Sequence, residues 1–305
     1  MMKSTRRGPV RNAFGVGLLA CSSACLVACA LTSPAAPPTL SPQRIVQIIA
    51  SPDRSAADRT NDLRRKPEAM LAFIGIRPGM TVLDVSAGGG YTSELLARAI
   101  GPAGTVYGQS QPRDPNRAPP APAAPEGASH PTPADAPAPA PVRPAPPPTS
   151  PARTSAVALA ERDAKLRSAN VAAAPIVPVA QRFDDPVPPA LATERLDLVT
   201  LMFNYHDLGF MGVDRAQMNQ AIFRALKPGG AYVIADHAGR PGTGISESGS
   251  LHRIEPAFLR NEVEAAGFRF AAEADFLRNP ADPRDRNTPE PPQPKDEFVL
   301  KFVKP

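Results

Sequence analysis

The segment Thr81-Val-Leu-Asp-Val-Ser-Ala-Gly-Gly-Gly-Tyr91 constrains the fold more than any other part of the chain. An apolar strand stops at Asp84, a glycine loop follows, and a helix begins at Thr92 with apolar residues spaced for one buried face. Glycines at 88–90 remove the Cβ atoms that would hold a ligand away from the backbone, and the start of the helix offers unpaired N–H groups. The segment therefore predicts a strand, a ligand-binding loop and a helix.

The spacing of these glycines indicates which class of nucleotide-like ligand the loop would bind. A dinucleotide fingerprint requires Gly-x-Gly-x-x-Gly with an acid about 20 residues later, whereas this frame ends on Ser93 and its acid, Asp84, precedes the loop. The stretch Gly75–Tyr91 resembles the first motif of class I S-adenosylmethionine (SAM) dependent methyltransferases, with Ser86 where most members have glycine. The alternative is an ordinary turn of another α/β fold, and a nicotinamide reductase is a more distant one.

The rest of the chain alternates between strand and helix patterns, which predicts a parallel sheet. Further strands are expected at 104–108, 176–180, 196–203 and 231–235, and helices at 155–168, from Asp214 and from Pro256. Two last strands, at 268–275 and 297–303, resemble the antiparallel end of the class I methyltransferase sheet. The resemblance implies an α/β, Rossmann-like, seven-stranded and mostly parallel sheet with an antiparallel last strand.

Other stretches carry the same resemblance. Leu226–Asp236 is the second most specific, and the whole similarity extends from Lys66 to Pro305 apart from one insertion. Gly88–Tyr91 and the ending Phe298–Pro305 resemble a subgroup of small, exported bacterial methyltransferases. The resemblance does not specify what that subgroup methylates.

Residues 1–28 have the features of a secretory signal peptide. An apolar run over 13–27 follows a start without acids that carries Lys3, Arg6, Arg7 and Arg11. Leu26-Val-Ala-Cys29 resembles a bacterial lipobox, in which cleavage leaves a lipidated cysteine at the N-terminus. We expect an exported lipoprotein on the periplasmic face of a bacterial membrane, with membrane contact only through Cys29. A plain signal peptide is the alternative.

The charge of the mature chain excludes an electrostatic nucleic-acid binder. The formal net charge is +5, and four of these charges precede Cys29, which leaves the mature chain near +1. No basic stripe with interleaved aromatic residues remains, and no Asn-Pro-Pro-aromatic motif marks methylation of nucleic-acid bases. Because no cysteine follows Cys29, the folded part has no internal disulfide and no thiolate metal site, and we predict no metal.

Composition divides the chain into a signal, a tether and one domain. Residues 29–40 are rich in small residues and proline, and residues 111–154 form a proline- and alanine-rich stretch with almost no large apolar side chain. Such a stretch cannot bury enough apolar surface to fold. We expect a single methyltransferase-like domain at 41–305, interrupted by a disordered insertion at 111–154; a boundary between two domains is the alternative.

Candidate cofactor residues lie just after the predicted strands, because ligands of open α/β sheets bind at the carboxyl ends of the strands. The resemblance implies that SAM is the cofactor and that these residues bind it: Asp84, Ser86, Gly88, Gly90, Tyr91, Gln109, Phe183, Asp184 and Asn204. Asp84 and the glycine loop would face the methionine part, and Gln109 the ribose, where the family has an acid. Phe183 and Asp184 would face the adenine. The alternatives are a capping role for Asp84 and a solvated turn for Asp184.

Candidate acid–base residues follow the fourth and fifth strands: His206, Asp207 and His237. Methyl transfer from a sulfonium is an in-line displacement that depends mainly on positioning, assisted by a base with a pKa near the working pH. We expect His206 to be this base, oriented by Asp207 or Asp236, with Tyr205 lining the acceptor pocket. His237 and His252 are weaker candidates. The alternative is that His206 and Asp207 only cap the next loop.

The residues therefore predict a SAM-dependent methyltransferase that acts on a small-molecule acceptor. The alternative, from a different functional class, is a non-catalytic, envelope-anchored lipoprotein that retains the methyltransferase fold as a binding module. Export favours this alternative because SAM is a cytoplasmic metabolite, and Ser86 and Gln109 favour it because both depart from the family pattern.

Overall fold

The computed structural model describes residues 38–112, 153–289 and 293–305. These residues belong to one compact unit of the chain, Pro37–Pro305. The signal segment, the lipobox cysteine Cys29 and positions 113–152 of the predicted insertion lie outside the described residues.

A seven-stranded sheet organises the described residues. Its strands follow the chain as β1 Thr81–Val85, β2 Thr105–Ser110, β3 Ile176–Ala180, β4 Leu196–Met202, β5 Leu226–His237, β6 Arg269–Ala274 and β7 Glu297–Val303. Their spatial order is β3-β2-β1-β4-β5-β7-β6, and β7 runs antiparallel to both of its neighbours. The pairs formed by β1 to β5 are all parallel. The predicted fold class is confirmed.

Nine α-helices occur among the described residues: α1 Pro42–Ile49, α2 Ala56–Arg65, α3 Pro67–Ile74, α4 Tyr91–Ile100, α5 Ser155–Ser168, α6 Asp207–Phe210, α7 Arg215–Ala225, α8 Ser248–Leu251 and α9 Pro256–Ala265. The predicted helices at 155–168, from Asp214 and from Pro256 are confirmed as α5, α7 and α9. Asp214 caps α7 as expected, since its side chain accepts a hydrogen bond from Gln217 N. Among these helices, none is both long and apolar enough to cross a bilayer.

Apolar side chains fill both faces of the sheet, which explains the continuous aliphatic runs in its strands. Val82 of β1 points into the core on one face, and Leu83 and Val85 point into the core on the other. The first core also contains α1, α3 and α4, through residues such as Ile45 and Leu71. The N-terminal helices α1 and α3, which no sequence pattern above predicts, therefore cover the same face as α4.

The strand order reverses between β1 and β4, because the chain continues from β1 to β2 on one side and from β4 to β5 on the other. Such a switch point leaves a crevice at the carboxyl ends of the two central strands, where open α/β sheets bind ligands. The glycine loop follows β1 at this edge, and the segment Phe203–His206 follows β4. The fold thus brings the glycine loop and the segment Phe203–His206 to the same edge of the sheet.

Candidate functional site

The glycine loop combines an open side with a tightly packed side. Gly88 and Gly90 both have left-handed backbones, with φ of 53° and 78°. A Cβ on Gly88 would find only a backbone oxygen at 3.9 Å, whereas a Cβ on Gly90 would lie 2.8 Å from Arg162 Cδ and 2.9 Å from Leu159 Cδ2. Gly90 therefore permits close packing of α5, and Gly88 leaves its side of the loop accessible to a ligand.

Ser86 also has a left-handed backbone, with φ of 59°, at the position where the family usually has glycine. Its N–H donates to Gln109 Oε1 at 2.9 Å, and its Oγ donates to Asn204 Oδ1 at 2.6 Å. These two bonds tie the loop after β1 to β2 and to the segment after β4. Ser86 thus connects β2, on one side of the switch point, to the segment after β4 on the other side.

Gln109, which is predicted to contact the ribose, forms its hydrogen bonds within the protein. The side chain is fully buried, and its Nε2 donates to Gln181 O at 2.6 Å while its Oε1 accepts from Ser86 N. Both ends of the amide are therefore used inside the protein. Side chains alternate along a strand, so the next residue, Ser110, points to the opposite face of the sheet from Gln109.

Asp84, which is predicted to contact the methionine part of the cofactor, is likewise bonded within the protein. The carboxylate is 1% exposed and accepts hydrogen bonds from Thr200 Oγ1 at 2.8 Å and from Ser93 Oγ at 2.6 Å. Burial raises the pKa of Asp84 to about 6, although the hydroxyls of Ser93 and Thr200 oppose the rise. Asp84 holds β1, β4 and the start of α4 together.

Replacing Asp84 by asparagine is expected to change how stability depends on pH. A carboxyl whose pKa is raised in the folded protein favours folding at low pH, and this contribution is lost as pH rises through about 6. Asparagine stays neutral and can still exchange hydrogen bonds with both hydroxyls. Relative to the wild type, the free energy of unfolding of Asp84→Asn should therefore rise by about 2–3 kcal/mol between pH 4 and pH 8. Urea unfolding of both proteins at pH 4, 6 and 8 measures this difference, and an equal difference at all three values would contradict it.

Phe183 and Asp184, which are predicted to face the adenine, also have contacts within the protein. The Phe183 ring is 6% exposed and belongs to the core on the face of the sheet that buries Leu83 and Val85. Asp184 Oδ1 accepts from Asp214 N at 2.9 Å, and Arg182 pairs with the same carboxylate and lowers its pKa. Because a buried ring cannot stack on a ligand, these two residues fasten the segment after β3 to the start of α7.

Tyr91 joins the glycine loop to the N-terminal helices. Its hydroxyl donates to Asp62 Oδ1 at 2.7 Å, and burial raises the pKa of the phenol far above its usual range. Asp62 also pairs with Arg54, with a distance of 2.6 Å between Asp62 Oδ2 and Arg54 Nη1. The sequence analysis gave no role to Asp62, because its partner is 29 residues away in the chain.

A small cavity lies beside the glycine loop, with one side open to solvent, and its enclosed space of about 20 Å³ is about what one water molecule needs. Its wall comes from α2, α3, the start of α4 and the end of β4, and its apolar part includes Met70, Leu71, Ile74, Leu95, Leu96, Met202 and Phe203. Its more polar part includes Arg65 and Tyr91. The guanidinium carbon of Arg65 stacks on the Phe203 ring at 3.9 Å from the centroid. The lining is largely apolar, and a molecule larger than water would enter only if side chains of the wall move.

His206, Asp207 and Asp236 meet as the sequence predicts. His206 is 2% exposed, its Nδ1 lies 2.6 Å from Asp236 Oδ1, and its Nε2 lies 3.0 Å from Asp207 Oδ1. Burial lowers the pKa of His206, but the Asp236 carboxylate and then Asp207 outweigh it and raise the pKa to about 9. Both ring nitrogens of His206 thus face carboxylate oxygens within the protein, and its role as general base stays a prediction.

The other two described histidines flank His206. The His237 ring centroid lies 5.3 Å from that of His206 and 5.7 Å from that of Phe203, and burial lowers the pKa of His237 well below its usual range. His237 Nδ1 lies 3.0 Å from Glu297 Oε1, without hydrogen-bond alignment. His252 Nδ1 lies 3.0 Å from Asp207 Oδ1, the same oxygen that faces His206 Nε2. Burial keeps the His237 ring neutral, and the sequence ranked this residue behind His206.

Solved methyltransferases resemble this chain in backbone. A SAM-dependent methyltransferase from Aquifex aeolicus is 15% identical, with a TM-score of 0.48 over 87% of this chain and 98% of that chain. A TehB-like SAM-dependent methyltransferase from Corynebacterium glutamicum is 16% identical, with a TM-score of 0.41 over 86% and 95%. An arsenic(III) S-adenosylmethionine methyltransferase from Chlamydomonas reinhardtii is 16% identical, with a TM-score of 0.44 over 75% and 64%. No family model and no curated protein matches this sequence.

Proposed function

We propose that this protein is a SAM-dependent methyltransferase that acts on a small molecule. The observation that carries the proposal is the glycine loop at the switch point between β1 and β4, with the Gly88 side of the loop open. A side chain at this position would fill the space through which a ligand reaches the backbone. The loop thus has the form that a nucleoside-type cofactor requires, and the small apolar cavity beside it opens to solvent where an acceptor could approach.

The residues present fit SAM at its methionine end. Backbone groups around Gly88 and the polar side chains of Ser86 and Asn204 line the crevice after β1 and β4. The bound cofactor would supply a methyl group on a positively charged sulfur. The protein then has to position the acceptor and exclude water, which is the larger part of catalysis for such a displacement.

The acceptor is proposed to lie in the apolar cavity beside the loop. Met70, Leu71 and Leu95 would contact its apolar body, while Arg65 and Tyr91 provide polar groups in the same wall. If the acceptor has to lose a proton, His237 is a candidate base, because burial lowers its pKa and keeps the ring neutral.

Titration of the purified protein with SAM in a calorimeter tests this function. We expect saturable binding of one SAM per chain, and tighter or comparable binding of the demethylated product, S-adenosylhomocysteine. Adenosine triphosphate serves as a control for non-specific nucleotide binding. Absence of SAM binding even at millimolar concentration would overturn the proposal.

A non-catalytic binding module is the second candidate, and the geometry of Gln109 favours it. The residue that the family pattern would place against the ribose is buried and bonded within the protein, and Gln109–Pro112 contains no carboxylate. Without an acid there, the ribose loses a strong charge-assisted contact. This candidate predicts no SAM binding but retained binding of an apolar small molecule in the cavity.

We also propose that the protein is exported and anchored to a bacterial membrane by lipidation of Cys29. Leu26-Val-Ala-Cys29 after a basic, acid-free start supports this. Cys29→Ser is expected to move the protein from the membrane fraction to the soluble fraction, and Cys21→Ser should leave the membrane fraction unchanged. Fractionation followed by immunodetection measures both. A Cys29→Ser product that stays fully in the membrane fraction would contradict the anchor.

A further inference from the structure

We propose that His206, Asp207 and His252 bind one divalent transition-metal ion. Asp207 Oδ1 lies 3.0 Å from His206 Nε2 and 3.0 Å from His252 Nδ1. One donor atom from each residue lies within 4.8 Å of the other two. With metal–ligand bonds of about 2.0–2.2 Å, a single ion reaches all three donors after small side-chain adjustments.

The groups around these donors have the arrangement that supports metal ligands. Asp236 Oδ1 lies 2.6 Å from His206 Nδ1, and Asp236 Oδ2 accepts from His206 N at 2.8 Å. A carboxylate on Nδ1 holds a proton there, so the ion would displace the proton on Nε2 and take up the lone pair of that nitrogen. Asn204 Nδ2 donates to Asp207 Oδ2 at 2.5 Å, which orients the carboxylate in the same way.

The donor set selects the class of metal. Two imidazoles and one carboxylate suit ions of borderline softness such as Zn²⁺ and Co²⁺, whereas Mg²⁺ and Ca²⁺ prefer oxygen ligands alone. Three protein ligands leave at least one coordination position for water or a ligand, as in catalytic rather than structural zinc sites. The His252 side chain is 39% exposed and that of Asp207 22% exposed, which gives an ion access from solvent.

Metal titration of the full chain, stripped with a chelator, tests this site. We expect one Zn²⁺ per chain by calorimetry, and a visible Co²⁺ spectrum typical of nitrogen and oxygen ligands without a thiolate charge-transfer band. The spectrum excludes the cysteines at 21, 25 and 29 as the ligands. His252→Ala, which truncates a partly exposed side chain, should weaken Zn²⁺ binding at least tenfold. Asp236→Asn should weaken it by about 10–100-fold through loss of the supporting carboxylate.

His237→Asn is the matched control, because His237 lies beside His206 but contributes no donor to the cluster. Its Zn²⁺ affinity should equal that of the wild type. Absence of Zn²⁺ binding in the wild type, or equal affinity in the wild type and His252→Ala, would overturn the site. The three side chains would then form only an ion-pair network. Because the titration needs no SAM, its outcome is independent of the proposed methyl transfer.

Discussion

Replacing Arg162 by alanine is expected to lower the free energy of unfolding by about 3–5 kcal/mol, the cost of leaving buried carboxylates without their partner. Arg162 lies on α5 and contacts three separate segments. Its guanidinium donates to both oxygens of Asp58 at 2.8 Å, to Glu94 Oε2 at 2.5 Å and to Gly89 O at 2.5 Å. The side chains of Asp58 and Glu94 are each 4% exposed.

The size of the effect follows from this burial. Glu94 would keep its contacts with Arg98, but Asp58 would lose both bonds from its charged partner. An isolated carboxylate at such low exposure has little access to water, so its desolvation is no longer compensated. The glycine loop would also lose the group that holds the Gly89 carbonyl. We therefore expect weaker cofactor binding together with the loss of stability.

Arg167→Ala is the matched control on the same helix. Arg167 pairs with Asp163 one turn away, but its side chain is 74% exposed. The Asp163 side chain is 12% exposed but keeps its hydrogen bond from Ile176 N, and solvent screens the exposed guanidinium, so the control should lose no more than about 1 kcal/mol. Urea unfolding of the three proteins measures both changes. An equal loss of unfolding free energy in Arg162→Ala and Arg167→Ala would show that burial does not increase the contribution of the Arg162 network to stability.

The strands and most of the long helices could be predicted because short-range patterns specify them. β3, β7 and α5 begin and end where their aliphatic runs, caps and turn residues predict. β5 begins at Leu226, five residues before the predicted start, because Leu226 pairs with Leu196 ahead of a register shift. The short helices α6 and α8 have four residues each, which is too few for a periodic pattern.

The directions of the site side chains could not be predicted in the same way. The sequence places Asp84 and Gln109 correctly at the ends of β1 and β2, but their orientation depends on distant residues. Thr200 is 116 residues from Asp84, and the backbone oxygen of Gln181 is 72 residues from Gln109. These partners satisfy the polar side chains inside the protein. Spacing within one motif carries no information about such contacts.

The histidine cluster shows a second limit of sequence reasoning. Strand ends predict that His206, Asp207 and Asp236 meet, and the structure brings them together. The pKa of His206 depends on the number of carboxylates that face it, and here two carboxylates do. His252 joins the cluster from α8, whose place beside α6 follows from tertiary packing rather than from any local pattern.

Replacing Gly88 by asparagine is expected to weaken SAM binding by about 100-fold or more, equivalent to about 2.7 kcal/mol, while the fold is retained. Asparagine is chosen because it adopts the left-handed backbone more readily than most residues, and φ at Gly88 is 53°. The nearest atom to an added Cβ is a backbone oxygen at 3.9 Å. The new side chain therefore occupies the ligand side of the loop without displacing protein atoms.

Gly229→Asn is the matched control. Gly229 also has a left-handed backbone, with φ of 76°, and no atom lies within 4 Å of an added Cβ. It lies near the start of β5, so it is at the opposite edge of the sheet from the glycine loop. Each substitution should change the free energy of unfolding by no more than about 1 kcal/mol. Calorimetric titration should then show weaker SAM binding in Gly88→Asn than in Gly229→Asn, because only Gly88→Asn fills the proposed cofactor site. If the wild type binds SAM and both variants bind it equally well, the cofactor lies elsewhere and the glycine loop serves only to connect β1 to α4.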